Sequence, residues 1–236
     1  MSKIIVNMIT HEDAIYMPVV IPALHKFADQ VIVTDNGSLD RTVGLLQSQL
    51  RLTDKIIYNP NNNTNLGEVR NKMIEMVDEG DWVFKWDSDE LPSDQMISSL
   101  RLFLDSHDEV GWGVPCYHIH QEPQHALSFE FGFHHMCLFK KTSQTRYQGA
   151  VHSVVVGTAG KVSNIPLDTG ISIIHFSYWA RRRFREKAVF YTTQEGSGFT
   201  TPNDLLQRLD WPSEHLPSSV TYSAPAAWME KLRNAS

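Results

Sequence analysis

The stretch that decides the fold reads Gly80-Asp81-Trp82-Val83-Phe84-Lys85-Trp86-Asp87-Ser88-Asp89-Glu90. Its first half is a mostly apolar run that predicts a buried strand, and the strand ends in an acidic turn. Two carboxylates separated by one residue can converge on one hard divalent ion such as Mg²⁺ or Mn²⁺. The alternative is an acidic surface turn, because Asp-x-Asp often occurs by chance. The surrounding sequence has to distinguish between these two interpretations.

Strand-like and helix-like segments alternate around this stretch. Strands are predicted at 4–9, 31–34, 55–58 and 81–86, and helices at 14–27, 40–50, 67–77 and 93–104. Such alternation predicts a mostly parallel sheet with helices on both faces. Ligands bind such sheets beyond the carboxyl ends of the strands, where Asp35-Asn36-Gly37-Ser38 and Asp87-Ser88-Asp89-Glu90 are both expected.

The second half of the chain has a different character. It is aromatic, β-rich and crowded with histidines up to Phe176, and a helical pattern follows at 178–191. We predict one domain over 1–196, with a nucleotide-binding half at 1–105 and an acceptor-side half at 106–196. The Pro- and Ser-rich tail, 197–236, is predicted either to pack on the domain or to be flexible.

Composition excludes several classes of protein. The 236 residues carry a formal net charge of -6, which gives no overall attraction to nucleic acid. Cys116 and Cys137 are too few for a disulfide framework. No apolar run approaches the ~18 residues of a membrane-spanning helix, and the N-terminus lacks the pattern of a signal peptide. We therefore expect a cytoplasmic protein with no transmembrane segment and no nucleic-acid partner.

Four elements, in a fixed order, resemble the motifs of family-two glycosyltransferases. They are the "DxGSxDxT"-like segment 35–42, the "NxGxxxARN"-like segment 65–71, the "GDWIlflDADE"-like segment 80–90, and the histidine segments 149–152 and 173–176. The resemblance covers roughly residues 3 to 191. It implies a GT-A fold, the Rossmann-like fold of nucleotide-diphospho-sugar transferases, with a β-rich acceptor-side extension. It also implies inverting transfer of a sugar, by analogy a hexosyl group, to an acceptor hydroxyl.

The resemblance implies a metal site as well. Asp89 would ligate the ion directly, His175 would be a further protein ligand, and Asp87 would contact the ribose or reach the ion through water. We favour Mn²⁺ over Mg²⁺, because imidazole suits Mn²⁺ better. The alternative for His175 is a packed core residue in an apolar strand.

The donor would be a nucleoside-diphosphate sugar, and the resemblance favours a UDP-sugar. The predicted donor-binding residues are Thr10, His11, Glu12, Asp35, Gly67, Arg70, Asp87, Ser88 and Lys187. Lys187 is chosen from a basic run as the phosphate contact. Asp35 could instead serve a turn, and Arg70 could pair with an aspartate of the metal site.

Inversion requires a general base for the acceptor hydroxyl. Many relatives have His-Glu where this chain has His152-Ser153. Without that glutamate, the candidates for the base are Glu130, Glu122, Asp168 and Glu90, and spacing does not choose among them. The acceptor, whether glycan, lipid-linked or protein, stays unidentified.

Three alternatives compete with this interpretation. A nucleotidyltransferase would normally have a Gly-rich basic loop after the first strand, where this chain has Thr10-His11-Glu12-Asp13. A non-catalytic nucleotide-sugar-binding relative is consistent with Ser153. A zinc site could use Cys116, His118 and His120, which alternate along one strand, together with Cys137 or His134. The absence of a C-x-x-C pair counts against zinc.

Overall fold

The computed structural model describes residues 1–60, 65–120, 122–127, 132–150, 153–179, 189 and 206–234. The strands are β1 (Ile4–Thr10), β2 (Gln30–Asp35), β3 (Lys55–Tyr58), β4 (Trp82–Asp87), β5 (Glu90–Pro92), β6 (Gly111–His120), β7 (Glu122–Leu127), β8 (Phe133–Lys140), β9 (Arg146–Gln148), β10 (Val154–Val156), β11 (Val162–Asn164), β12 (Ile173–His175) and β13 (Ser213–His215). The α-helices are α1 (Met17–Leu24), α2 (Thr42–Gln49), α3 (Leu66–Ile74), α4 (Asp94–Asp105) and α5 (Ala226–Asn234).

One large sheet organises the molecule, in the order β13-β7-β6-β8-β4-β1-β2-β3. Strands β4, β1, β2 and β3 are parallel, and β8 lies antiparallel between β4 and β6. Strand β12 pairs in parallel with β6 and antiparallel with β5. The four parallel strands all lie within residues 1–105, and the β-rich part of the sheet follows them in the chain. The predicted α/β architecture is therefore confirmed. The division into a nucleotide-binding half and an acceptor-side half stays a prediction.

Helices cover both faces of the sheet, as the alternating strand residues require. From β1, Ile4, Val6 and Met8 enter a large core that includes residues of α1, α2, α4 and α5. Ile5 points to the other face and packs in a second core with Met73 of α3. The β1 strand is buried on both sides, which explains its nearly continuous apolar sequence.

The four helices predicted within residues 1–105 are present, but their ends differ by a few residues. Helix α1 begins at Met17 rather than at 14, and Pro18 lies in its first turn. Proline suits that position because its missing N–H would have no partner inside the helix. Ser93 caps α4 by accepting a hydrogen bond of 3.0 Å from Met96 N.

The tail packs on the domain over the residues that the structure describes there, 206–234. Strand β13 adds to the edge of the sheet beside β7. Helix α5 buries Trp228, Met229 and Leu232 in the large core, and Trp228 Nε1 donates a hydrogen bond of 2.7 Å to Ile15 O. Most of the predicted basic helix at 178–191 lies outside the described residues. No helix in the described part of the chain has the length and apolar character to cross a membrane.

Candidate active site

The carboxyl ends of three parallel strands lie side by side. Thr10 at the end of β1 is paired with Asp35 of β2, and Ile9 is paired with Asp87 of β4. The two polar clusters predicted from the sequence therefore share one edge of the sheet. This edge is where ligands of open parallel sheets bind.

Asp89 and His175 are brought together by the pairing of β5 with β12. This pairing sets Glu90 opposite His175. The Asp89 Oδ1 atom lies 3.2 Å from His175 Nε2, and Phe176 N donates a hydrogen bond of 2.9 Å to Asp89 O. Asp89 is only 1% exposed. A carboxylate and an imidazole this close can bind one divalent ion together, so these two ligands fit the metal that the resemblance implies.

Arg70 and Asp87 form an ion pair beside that contact. Arg70 Nη2 donates a hydrogen bond of 2.7 Å to Asp87 Oδ1, and Nη1 donates one of 3.4 Å to Asn7 O. Desolvation raises the pKa of Asp87, but the positive charges of Arg70 and Lys85 lower it further, so it lies below its ordinary value. Asp87 is therefore ionised at neutral pH and can face a cation.

Lys85 is a site residue that the sequence analysis missed. It lies on β4 one alternation before Asp87, and therefore on the same face of the sheet. Burial, together with the charge of Arg70, lowers its pKa. The signal was present in the sequence, because a lysine inside an otherwise apolar strand is unusual.

Asp35 is a buried carboxylate with one oxygen unused. Its Oδ2 accepts a hydrogen bond of 3.2 Å from Ser38 N, whereas Oδ1 is buried and has no hydrogen-bond partner among the residues that the structure describes. A buried acceptor without a donor is costly unless a ligand supplies one. A base N–H or a ribose hydroxyl would be such a donor.

Two loops at this edge are joined by hydrogen bonds. His11 Nδ1 contacts Asn36 O at 2.9 Å, and Glu12 N donates a hydrogen bond of 2.8 Å to Ser38 Oγ. Glu12 has a positive φ of 54°. The predicted donor-binding residues His11 and Glu12 thus connect the loop after β1 to the loop after β2.

Asp13 is the second residue that the sequence analysis missed. Its Oδ2 accepts hydrogen bonds from Thr10 Oγ1 at 3.1 Å, from His11 N at 3.1 Å and from Ser88 Oγ. Thr10 and Ser88, which were predicted to bind the donor, therefore also hold the turns after β1 and β4 together. Aspartate is common in turns of many kinds, so the sequence alone did not distinguish Asp13.

The candidates for the general base are separated by the fold. Glu90 is buried in the site, and its Oε2 accepts a hydrogen bond of 2.9 Å from Asp87 N. Burial and the charge of Asp87 raise the pKa of Glu90 to about 8. Asp168 lies on an exposed 3-10 helix that precedes β12, and Glu122 is exposed at the start of β7. Glu130, His152 and Lys187 fall outside the described residues.

Gly67, one of the predicted donor-binding residues, lies directly against the protein backbone. A Cβ at this position would overlap the carbonyl oxygen of Gly149. The Gly67 N–H also donates a hydrogen bond of 3.2 Å to Ala150 O. Glycine is thus required where α3 meets the chain between β9 and β10.

A second group of metal-ligating side chains adjoins Asp89. One ligand atom each from Cys116, His118 and His175 lies within 4.8 Å of the others. Burial and the charge of His175 hold the pKa of His118 well below its usual range, so its imidazole is neutral at physiological pH. His175 was not part of the zinc set considered from the sequence.

Two other members of that zinc set, His120 and His134, each have one ring nitrogen close to a backbone carbonyl. His120 Nε2 lies 3.0 Å from Leu209 O, and His134 Nε2 lies 2.8 Å from Ile165 O. The rings of His118 and His120 both contact Tyr178, with centroids 5.5 and 6.2 Å from its ring, but the group of ligand atoms within 4.8 Å of one another contains His118 and not His120. His120 therefore does not join Cys116 and His118.

Comparison with known proteins identifies the family. The family model for glycosyl transferase family 2 matches residues 8–165, and the chain belongs to this family. The crystal structure of S. aureus TarS 1-349 is similar, with a TM-score of 0.52 and 14% identity over 88% of this chain and 70% of that chain. This likeness supports the GT-A fold.

A second TarS structure is also similar. It is the complex of S. aureus TarS 1-349 with UDP-GlcNAc, with a TM-score of 0.44 and 20% identity over 51% of this chain. The match covers 36% of that chain, well under two thirds of its length. A search of curated proteins finds no match to the sequence.

Proposed function

We propose that this protein transfers a sugar from a nucleoside-diphosphate sugar, by family resemblance a UDP-sugar, to an acceptor hydroxyl with inversion. The observation that carries the proposal is the 3.2 Å contact between Asp89 Oδ1 and His175 Nε2 at the carboxyl edge of the sheet. Residues far apart in sequence converge there, beside the ionised Asp87. The donor set suits Mn²⁺ better than Mg²⁺, because it includes imidazole.

The surrounding residues have separate roles in this proposal. The unused Oδ1 of Asp35 accepts a hydrogen bond from the base or ribose of the donor. Arg70 keeps Asp87 ionised and oriented. When bound, a divalent ion supplies positive charge to the diphosphate, whose negative charge grows as the glycosidic bond breaks. Lys187 is retained as a proposed phosphate contact.

Glu90 is the candidate base that lies within the site, among those the structure describes. Its hydrogen bond from Asp87 N also makes it a support of the acidic turn. Glu90→Gln separates these roles. If Glu90 is the general base, the variant should lose sugar transfer but keep its nucleotide affinity. If Glu90 only supports the acidic turn, transfer and nucleotide affinity should fall together.

The experiment that tests the function is calorimetric titration with UDP, GDP, CDP and ADP, each with and without Mn²⁺. We expect one nucleotide to bind tightly and to need the metal. Asp89→Ala should abolish that metal-dependent binding with little change in the unfolding midpoint. Asp105→Ala, at the exposed end of α4, is the matched control and should bind as the unmodified protein does.

Two outcomes would contradict the proposal. Unchanged nucleotide affinity in Asp89→Ala would contradict the assigned metal site. Absence of metal-dependent binding to any of the nucleotides would contradict the proposed nucleotide-sugar donor. Release of free sugar from the matching nucleotide-sugar separates an enzyme from a binding relative. A protein that binds the nucleotide but never releases sugar would be the non-catalytic alternative.

A further inference from the structure

The geometry points to a second kind of metal site: we propose that Cys116, His118 and His175 bind a zinc-class ion through one thiolate and two imidazoles. All three residues have low exposure, and Cys116 and His118 are on one face of β6. Strand β12 runs parallel to β6 with His175 paired to His118. Strand pairing therefore brings the third ligand to the other two.

The distances suit a tetrahedral ion. Zinc–sulfur and zinc–nitrogen bonds of about 2.3 and 2.0 Å place sulfur and nitrogen about 3.5 Å apart in a tetrahedral site. Cys116 Sγ lies 3.9 Å from His118 Nε2, and the rings of His118 and His175 have centroids 4.6 Å apart. Small side-chain movements would complete the coordination.

A neighbouring side chain orients one of these ligands. Ser177 Oγ lies 3.5 Å from His118 Nδ1, on the opposite side of the ring from Cys116. Metal-bound histidines usually have their second nitrogen held by such a partner, which fixes the ring and its tautomer. In this arrangement Nε2 of His118 is directed at the thiol.

Ligand type distinguishes this site from the carboxylate site. Thiolate and imidazole favour Zn²⁺ over Mn²⁺ and Mg²⁺, which prefer oxygen ligands. His175 contacts Asp89 and is also near Cys116 and His118, so it belongs to both sets. The inference does not require the transferase activity, because it concerns binding of the ion alone.

The test uses Co²⁺ as a spectroscopic substitute for Zn²⁺ in the reduced, metal-free chain of 236 residues. We expect one equivalent of Co²⁺ to give a thiolate-to-cobalt charge-transfer band and intense visible bands typical of tetrahedral coordination. Zn²⁺ should remove these bands stoichiometrically, whereas a large excess of Mn²⁺ should not.

Matched cysteine variants locate the ligand. Cys137 is also buried, on the neighbouring strand β8, and is outside the three-residue group. Cys116→Ser should lose the charge-transfer band, whereas Cys137→Ser should keep it. His118→Ala should weaken Co²⁺ binding about tenfold or more. His175→Ala should weaken both Co²⁺ binding and Mn²⁺-dependent nucleotide binding.

The unmodified protein alone can overturn the inference, even where a variant fails to fold. Absence of a charge-transfer band in it, or persistence of the band in Cys116→Ser, would exclude the thiolate site. Nucleotide titration with Mn²⁺ is a separate measurement. The zinc-class site can therefore fail while the proposed function stands, and the reverse is equally distinguishable.

Discussion

The guanidinium of Arg70 joins two strands of the sheet: Nη2 lies 2.7 Å from Asp87 Oδ1 on β4, and Nη1 lies 3.4 Å from Asn7 O on β1. The Arg70 side chain is 4% exposed, whereas that of Asp87 is 46% exposed. A buried cation thus presents a carboxylate toward the open edge of the sheet. The planar fork of arginine makes both contacts at once, which lysine cannot do.

We expect Arg70→Lys to destabilise the protein by about 2 kcal/mol, because it leaves Asn7 O or Asp87 without its donor. The measurement is urea unfolding at neutral pH. Arg101→Lys is the control, since its 2.6 Å pair with Asp29 is more than a third exposed on both sides. Exposed pairs contribute about 0–1 kcal/mol. Equal losses in the two variants would contradict the role given to Arg70.

Asp35→Asn should change which nucleotide binds. The substitution replaces one carboxylate acceptor with an N–H donor, so a base that donates at N3, such as uracil, loses its partner, and cytosine gains one. We expect UDP affinity to fall about tenfold, which corresponds to about 1.4 kcal/mol, and CDP affinity to fall less or to rise. Calorimetry with both nucleotides and Mn²⁺ measures this.

The control for that prediction is Asp40→Asn. Asp40 lies in the same turn, is exposed, and accepts a hydrogen bond of 2.9 Å from Thr42 N. The Asp40→Asn substitution removes the same negative charge but leaves the unused Oδ1 of Asp35 unchanged. If Asp35→Asn lowered UDP and CDP affinity equally, Asp35 would not be the residue that distinguishes uracil from cytosine.

Asp54 should make stability depend on pH in the acid range. Its side chain is fully buried and accepts hydrogen bonds from Val31 N at 2.9 Å and Arg51 N at 2.7 Å. Burial raises the pKa of Asp54, but these hydrogen bonds and the charge of Arg51 outweigh burial and lower it below 3.8. The stabilisation is therefore present above the unfolded-state pKa of about 3.9 and is lost as the pH falls through the folded-state pKa.

Asp54→Asn tests this pH dependence. At pH 7 we expect it to lower the free energy of unfolding by about 3 kcal/mol, because hydrogen bonds to a buried charge are lost. The difference from the unmodified protein should shrink below about pH 4. Asp78→Asn is the control, because Asp78 is 85% exposed and its distance to Lys3 Nζ is 3.9 Å. A constant difference across pH would contradict the assignment.

Two glycines should respond to alanine in opposite directions. Gly67→Ala places a methyl group against Gly149 O, which is backbone and cannot turn aside, so we expect a loss of about 1–3 kcal/mol. Gly44 lies within α2, and in the described part of the chain no neighbouring atom lies within 4 Å of the added Cβ. Gly44→Ala should stabilise by about 0.5–1 kcal/mol. Thermal unfolding of the two variants measures both changes in stability. Changes of the same sign would contradict the close packing at Gly67.

The parallel half of the fold was predictable because its signals are local. The strand at 82–87 and the helix capped by Ser93 follow from apolar patterning and capping chemistry. The contact between Asp89 and His175 was expected from family resemblance, since spacing in the chain does not encode it. The pairing of β12 with both β5 and β6 creates that contact.

Long-range pairing also explains what the sequence analysis did not find. In the sequence, Asp13 resembles any polar loop residue. Its role depends on the fold, which brings Ser88 from the turn after β4 into hydrogen-bonding contact with it. Cys116 and His118 suggested His120 as a partner by alternation, but His120 Nε2 lies 3.0 Å from Leu209 O, and the third member of the group is His175. Both Leu209 and His175 are distant from His120 in the sequence, so local alternation could not reveal these contacts.

Helix α3 has a consequence for how the two halves of the protein communicate. Arg70 holds Asp87, while the next residue, Asn71, donates a hydrogen bond of 3.1 Å to Tyr147 O and accepts one of 2.7 Å from Tyr147 N. Tyr147 is the central residue of β9, in the β9–β10 hairpin. The hairpin and the acidic turn are thus mechanically linked through consecutive residues of one helix. We therefore expect a displacement of the hairpin to shift α3 and, through Arg70, the carboxylate of Asp87.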